Sequence, residues 1–212
     1  MRTIKAPEAR RNEILDAANA LFSQKGFDDT SVNDILGAIG IAKGTFYYYF
    51  KSKEEVMDAL VERCGARMFA RAAAVAADAS LGVHERIFYT MASLNMRETE
   101  GEALLETIHR PQNALMHEKS MRLLFTGAVP ILAGIVEEGV AQGLFDTRYP
   151  EACAEMIIIY AQIAFDEAML PAQSAWEERI AAFIANIERL LGAKQGSFAY
   201  VKNLFTGEDY EK

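Results

Sequence analysis

The chain has 212 residues and a net charge of −8, from 22 Lys/Arg and 30 Asp/Glu, and about half of its residues are apolar. These totals are typical of a globular protein and exclude a polyanion binder that is basic throughout. We find no apolar run long enough to cross a bilayer and no signal peptide, so we expect a cytoplasmic protein that makes no membrane contact.

The charges are unevenly distributed along the chain. Residues 1–55 carry eight basic and eight acidic groups, so the whole net charge lies in the remainder. No acidic residue occurs from Ile35 through Lys53. Any nucleic-acid contact is therefore expected in the N-terminal quarter.

Three short helices are predicted in that quarter. A 3.6-residue apolar stripe indicates a first helix from about 8 to 25, with Gly26 as its stop. Ser31 and Asp34 have the spacing of a capping box and open a second helix, which Gly40 ends. A third helix, about 42 to 49, must follow at once. Two short helices around a glycine turn form the helix-turn-helix pattern.

The stretch 41–53 combines five aromatic residues with three lysines. Helical spacing places Phe46 and Phe50 on the core side of the third helix. Three consecutive tyrosines, at 47–49, cannot all be buried on one helix face, which favours a contact surface. An aromatic core face with ordinary solvated lysines is the alternative interpretation.

These residues also carry a family resemblance. The array from Ile14 to Leu60, above all the run Lys43-Gly44-Thr45-Phe46-Tyr47-Tyr48-Tyr49-Phe50-Lys51-Ser52-Lys53-Glu54-Glu55, resembles the DNA-binding domain of TetR-type transcriptional regulators. The sequence departs from the family at Ala42, where a capping serine is common, and at Leu36-Gly37, where a small pair with alanine first is more usual.

The resemblance implies roles for individual side chains. It implies that base edges or the nearby backbone of a major groove are met by Lys43, Gly44, Thr45 and Tyr48. It implies that phosphates are held by Tyr47, Tyr49, Lys53 and either Thr30 or Ser31. For Tyr49, packing against the first helix is an equally good interpretation.

The rest of the chain is also predicted to be helical. Ser52 and Glu55 form a second capping box, which opens a helix that reaches about residue 79. Further helices are predicted near 84–98, 102–109, 112–126, 128–142, 150–169, 175–191 and 196–206. The fold class is all-α, with a three-helix DNA-binding domain at 1–55 and a larger helical domain for effector binding and dimerisation at 56–212.

The segment 150–169 is apolar almost all round its helix, so two sides need cover. One side can pack inside the subunit, and the other requires a partner. In the TetR family the last two long core helices pair with their symmetry mates, and the segments 150–169 and 175–191 resemble them. The residues expected at this homodimer interface are Ile157, Ile158, Phe165, Phe183, Ile184 and Ile187.

An effector cavity is implied by the same resemblance. Its candidate lining residues are Phe88, Met91, Asn95, His109, Phe125 and Tyr160, although a stripe of methionine and aromatic residues is more often core. We expect no metal, no cofactor and no catalytic residues, since the sequence shows no metal-ligand spacing, nucleophile constellation or phosphate loop.

The sequence thus predicts a homodimeric regulator of a pseudo-palindromic double-stranded DNA operator, a repressor rather than an activator, released by an unidentified small-molecule effector. Two alternatives stay open. One is a helical ligand-binding or protein-interaction module that keeps the helix-turn-helix as a scaffold. The other is an all-α enzyme that uses the C-terminal cavity.

Overall fold

The computed structural model describes residues 6–94, 114–165, 176–206 and 210, and every regular element within these ranges is helical. We number the described α-helices in chain order as α1 (Pro7–Lys25), α2 (Val32–Ile39), α3 (Lys43–Tyr49), α4 (Lys53–Ala76), α5 (Val83–Ser93), α6 (Ala114–Ala141), α7 (Pro150–Ala164), α8 (Trp176–Leu191) and α9 (Asn203–Thr206). A short 3₁₀ helix, Ala199–Lys202, precedes α9. The predicted all-α class is confirmed.

The chain divides into two compact units. The first comprises Met1–Ala66 and Glu100–Leu123, and the second comprises Arg67–Thr99 and Leu124–Lys212. Helices α4 and α6 each contribute residues to both units. The domain boundary predicted at residue 55 stays a prediction.

The first unit has the three short helices that the sequence predicted. Gly26 (φ 90°) follows α1 and Gly40 (φ 66°) follows α2, so both turns use backbone angles that glycine adopts without strain. The Ser31 hydroxyl accepts a hydrogen bond from the Asp34 amide, and the Asp34 carboxylate accepts one from the Ser31 amide. This capping box starts α2 at the predicted residue.

The core of the first unit fixes the direction in which α3 faces. Phe46 and Phe50 of the aromatic stretch are 0% and 2% exposed, and their ring centroids lie 6.1 Å apart. They share this core with buried residues of α1, α2 and α4: Ile14, Leu15, Ala18, Phe22, Ile35, Val56, Met57 and Leu60. Because two of its aromatic rings are buried, α3 can turn its remaining residues to solvent.

The core of the second unit is formed by α5, α6, α7, α8 and the C-terminal segment. Phe198 and Val201 are 1% and 0% exposed, so the segment after α8 belongs to this core. Glycine permits a close approach at Gly192 (φ 61°), where an added Cβ would lie 2.6 Å from the carbonyl oxygen of Asp146. Only glycine fits position 192, and the chain turns back there after α8.

Helix α6 differs from the prediction. The sequence indicated two helices with an interruption at Gly127 and Pro130, whereas the structure has one 28-residue helix with Pro130 in its interior. Pro130 is exposed, and Ala128, Val129, Leu132 and other apolar residues beside it are buried. Burial of one face outweighs the backbone hydrogen bond that proline removes.

Helix α6 is also long and apolar enough, by length and composition alone, to cross a membrane. The expectation that no apolar run has this length is therefore wrong. Ala128, Val129, Leu132, Ile135 and Val136 are at most 4% exposed. These side chains lie in the core of the second unit, which is the usual reason for such a helix in a soluble fold.

Several smaller features can be compared with prediction. Helix α4 ends at Ala76 rather than near residue 79, and the predicted helix at 102–109 lies outside the described residues. Cys64 and Cys153 are free thiols. Within the described ranges no group of His, Cys, Asp and Glu is arranged to hold a metal ion.

Candidate nucleic-acid interface

The exposed face of α3 is the feature that the fold presents most clearly. Tyr48 is 78% exposed and Tyr47 is 46% exposed, although both are aromatic. Lys43 and Gly44 at the start of the helix are also exposed, and Thr45 is half-buried. Exposure of large aromatic side chains to water is unfavourable in free energy. Two such side chains on one short helix therefore indicate a surface that binds another molecule.

Two ring contacts order this face. The Lys43 ammonium lies 5.8 Å from the centroid of the Tyr47 ring, and the Tyr48 ring meets the Tyr49 ring edge-on at 4.9 Å. Tyr49 is half-buried, between the two alternatives that the sequence left open. A surface of aromatic hydroxyls beside a lysine can donate hydrogen bonds to phosphate oxygens and base edges.

Gly44 opens the first turn of α3. A Cβ added at Gly44 would find no atom within 4 Å, so packing within the subunit does not require glycine here. The absence of a side chain brings the backbone of the helix closer to whatever lies against this face. This is consistent with a helix that enters a groove.

Thr30 and Ser31 prove to be different from one another. Thr30 is 1% exposed, and its hydroxyl donates to the carbonyl oxygen of Gly26 at 2.6 Å. Ser31 is exposed, but its hydroxyl donates to the Asp34 carboxylate at 2.6 Å. Both hydroxyls are thus engaged within the chain, and of the two residues Ser31 is the exposed one.

The charge of Asp34 strengthens this cap. Hydrogen bonds from Lys25 and then from Ser31 hold the pKa of the Asp34 carboxyl well below its usual range. The Lys25 ammonium lies 2.8 Å from the same carboxylate. Ionised Asp34 thus fixes the N-terminal end of α2, where a negative charge is favoured by the helix dipole.

Lys53 makes polar contacts within the subunit. Its ammonium donates to the carbonyl oxygen of Phe27 at 2.6 Å and to that of Asp28 at 3.2 Å. The neighbouring Lys51 was not among the predicted site residues. It is exposed, and together with Lys53 it lines an open groove of about 420 Å³. Its place in the acid-free stretch could have indicated it.

Four of the six predicted effector residues lie within the described part of the chain, and the effector site stays a prediction. Asn95 and His109 lie outside the described residues. Phe88 is 3% exposed, and Met91 and Phe125 pack half-buried against the core of the second unit. Tyr160 is 43% exposed, with its ring stacked 5.4 Å from that of Phe183.

The predicted dimer residues require correction. Ile157, Ile158, Phe183 and Ile187 are at most 8% exposed within a single chain, so they cannot supply a surface to a second copy. Phe165 and Ile184 are half-buried and pack against the same core.

The other side of α7 is exposed. Met156 is 59% exposed, Ile159 45%, Tyr160 43% and Ile163 48%. Their spacing of three, one and three residues puts them on one helix face. The two-sided character of the helix is confirmed, but the sequence selected the side that faces inward.

A compact helix-turn-helix with an exposed aromatic and basic third helix is the architecture of a DNA-binding unit. Two family models match this chain: "Bacterial regulatory proteins, tetR family" over residues 14–60, and "Tetracyclin repressor-like, C-terminal domain" over residues 98–190. The matches include both a DNA-binding part and a C-terminal part. The chain belongs to the TetR family of bacterial regulatory proteins.

Curated relatives match about a quarter to a third of the chain. The negative transcriptional regulator IcaR of the biofilm operon icaADBC of Staphylococcus epidermidis is 41% identical over 54 residues, which cover 26% of this chain and 29% of IcaR. The transcriptional repressor KstR2 of Mycobacterium tuberculosis is 41% identical over 63 residues, which cover 30% of this chain and 32% of KstR2. The chain thus spans about a third of the length of the curated relatives it matches.

Solved structures share the fold over most of the chain. SmeT, the repressor of the multidrug efflux pump SmeDEF of Stenotrophomonas maltophilia, gives a TM-score of 0.66 at 21% identity, covering 91% of this chain and 94% of SmeT. The fatty acid degradation regulator FadR of Bacillus halodurans gives 0.62 at 21% identity, covering 91% and 99%. Another similar structure is a complex of SmeT with triclosan, with a TM-score of 0.60 at 20% identity, covering 90% and 94%.

Proposed function

We propose that this protein is a homodimeric, sequence-specific DNA-binding repressor that a small-molecule effector releases from its operator. The observation that carries the proposal is the exposed face of α3, with Tyr48 78% exposed while Phe46 and Phe50 are buried beneath it. IcaR and KstR2 are both described as negative regulators or repressors, and the tetR family model that matches residues 14–60 includes this helix. The protein acts in the cytoplasm, on bacterial DNA.

The DNA contacts are divided by position on α3. Lys43, Gly44, Thr45 and Tyr48 face the major groove, where hydroxyl and ammonium donors reach base edges and adjacent phosphates. Tyr47 and Tyr49 contact the phosphate backbone from the sides of the helix, with Ser31 at the start of α2. The net charge of −8 over the whole chain limits DNA binding to this face.

Dimerisation uses the exposed side of α7 rather than its buried side. A second copy covers Met156, Ile159, Tyr160 and Ile163, together with small residues of α8 such as Ala181 and Ala182, which are exposed. Burial of apolar surface stabilises such an interface by about 25 cal/mol per Å². Two copies related by a two-fold axis read a pseudo-palindromic operator, with α3 helices one DNA turn apart.

Effector binding belongs to the second unit. The proposal is supported by the SmeT–triclosan complex, which shows that a protein of this fold binds a small molecule. The effector favours a conformation in which α4 carries the two DNA-binding units out of the operator spacing. The size of the response is limited by the difference in the effector's affinity for the two conformations.

The first test is selection of an operator from a pool of duplexes with random sequence. We expect an inverted repeat that binds far more tightly than a scrambled duplex. Lys43→Met should weaken binding and make the slope of log K against log salt shallower by about 0.9, because one phosphate contact is lost. Lys194→Met, an exposed lysine in the second unit, is the matched control and should leave the slope unchanged.

An absence of sequence enrichment, or a Lys43→Met protein that binds like wild type, would contradict the proposal. The effector is tested separately by native mass spectrometry of the purified protein. A retained small molecule, added back to stripped protein, should lower the affinity for the selected operator. Operator affinity that stays unchanged at saturating effector would contradict the release mechanism.

A further inference from the structure

Lys53 is the first residue of α4, and its ammonium donates two hydrogen bonds within the subunit. Besides the two hydrogen bonds to the carbonyl oxygens of Phe27 and Asp28, the Nζ atom lies 4.2 Å from the centroid of the Phe27 ring. An ammonium group has three N–H donors and no acceptor. Two donors are directed at carbonyls and the ring face covers a further side, so little capacity remains for a phosphate.

The partner of Lys53 is itself held in place. Phe27 is 5% exposed, and its ring meets the Phe22 ring edge-on at 5.2 Å. The Phe27 carbonyl oxygen also accepts a hydrogen bond from the Thr30 amide at 3.2 Å. The lysine is therefore attached to an ordered turn rather than to a loose loop.

The groove beside Lys53 carries charges of both signs. The open groove beside it is lined by the acidic Asp28, Asp29 and Glu54 and by the basic Lys51 and Lys53. Hydrogen bonding from Ser52 lowers the pKa of Glu54, so Glu54 is ionised at neutral pH. The charged groups of the groove sum to a net negative value, so Lys53 does not belong to a cluster of cations.

The contact joins two parts of the helix-turn-helix that are 26 residues apart in sequence. The turn that contains Phe27 leads into Ser31, the N-cap of α2, and Lys53 follows closely after α3. We propose that Lys53 is a positioning residue for DNA recognition, which sets the placement of α2 against α3 by binding the Phe27 and Asp28 carbonyls rather than by binding DNA. The inference rests on the proposed DNA-binding function.

The test compares the salt dependence of operator binding among matched variants. Loss of a lysine that binds a phosphate makes the slope of log K against log salt shallower by about 0.9. Loss of a positioning residue lowers the affinity for the operator but leaves this slope unchanged. For Lys53→Met we expect at least a tenfold loss of affinity with an unchanged slope. Lys51→Met removes one charge from the same groove without removing the carbonyl contacts, so it should lose less affinity.

Lys53→Arg adds a second distinction. Arginine keeps the charge and would preserve a phosphate contact. Its larger, planar guanidinium cannot make the contacts that the ammonium makes with two carbonyl oxygens and a ring. We therefore expect Lys53→Arg to lose affinity as Lys53→Met does. Wild-type affinity in Lys53→Arg, or a slope about 0.9 shallower in Lys53→Met, would overturn the proposal.

Phe27→Leu provides a version of the test that leaves every charge in place, in case Lys53→Met does not fold. It removes the ring beneath the ammonium and should lower operator affinity at an unchanged salt slope. Wild-type affinity in Phe27→Leu would count against the proposal. Failure of the wild-type protein to bind any selected duplex would instead refute the proposed function, and the role of Lys53 in recognition would fall with it.

Discussion

The guanidinium of Arg86 donates to both carboxylate oxygens of Glu138, with Nη1–Oε2 at 2.7 Å and Nη2–Oε1 at 2.5 Å. Arg86 is 6% exposed, and its Nη1 also donates to the carbonyl oxygen of Ala76 at 3.2 Å. The carboxylate of Glu138 holds the pKa of Arg86 above its usual range, and Arg86 in turn lowers the pKa of Glu138. One side chain thus joins the last residue of α4 to α5 and α6.

Replacement of this arginine should destabilise the second unit. Arg86→Met keeps most of the apolar stem but removes the charged hydrogen bonds, at a cost of about 1 to 3 kcal/mol. Arg71→Met, at an exposed position of α4, should change stability by less than about 0.5 kcal/mol. The free energy of unfolding is measured by urea denaturation. If Arg86→Met and Arg71→Met had equal free energies of unfolding, the pair of Arg86 and Glu138 would contribute nothing to stability.

Two glycines of α6 should respond in opposite directions to alanine. A Cβ at Gly127 would lie 2.3 Å from the Phe69 ring, so Gly127→Ala forces a shift of the packed side chain and should cost about 1 to 3 kcal/mol. A Cβ at Gly134 would meet no atom within 4 Å, so Gly134→Ala should stabilise the helix by up to about 1 kcal/mol. Thermal unfolding of both variants checks the prediction, which fails if the two shifts in Tm have the same sign.

His84 should make stability depend on pH below neutrality. Its Nδ1 lies 3.1 Å from the Tyr200 hydroxyl, and its ring packs against Phe145 and Phe198. Burial lowers the pKa of His84 from its ordinary value of 6.5, so the unfolded chain binds the proton more readily than the folded chain. Stability from this group is therefore complete above about pH 6.5 and is lost as the pH falls below it.

The measurement is the free energy of unfolding between pH 5 and pH 8, in wild type and in His84→Gln. The wild type should lose stability relative to the variant as the pH falls, by at most about 1.4 kcal/mol per pH unit. Between pH 7 and pH 8 the difference between the two proteins should be constant. Parallel curves over the whole range would contradict the assignment.

The exposed side of α7 gives a prediction for the oligomeric state. Ile163→Asp places a charge on the stripe that we propose a second copy covers, so the dimer should dissociate at concentrations where the wild type remains associated. Leu144→Asp is the matched control, because Leu144 is 41% exposed but follows α6. Sedimentation velocity distinguishes the states. A dimeric Ile163→Asp protein would exclude this face as the interface.

The N-terminal helices could be predicted because their limits are local. Gly26, Ser31 and Gly40 mark the ends of α1 and α2 by backbone angle and capping chemistry within a few residues. Helix α6 could not be predicted in the same way, because Gly127 and Pro130 are local breakers. Long-range burial of neighbouring apolar residues decides that helix, and such burial cannot be read from a short window.

In the candidate interface, too, some features follow from the local sequence and others depend on contacts that only the folded chain makes. The exposure of Tyr47 and Tyr48 follows from helical spacing once Phe46 and Phe50 are assigned to the core. The burial of Thr30 and the engagement of Lys53 depend on contacts with Gly26 and Phe27 that only the folded turn creates. For α7, which is apolar nearly all round, periodicity could not tell which side faces the subunit.

Gly134 has a practical consequence for altering the specificity of this regulator. It lies in the interior of α6 with open space beside it, so the protein has not used an easily available gain in stability. Substitutions on α3, the helix that we propose reads the operator, will often weaken the fold as well. Engineering or natural evolution could introduce alanine at this distant position first and so tolerate a wider range of recognition helices.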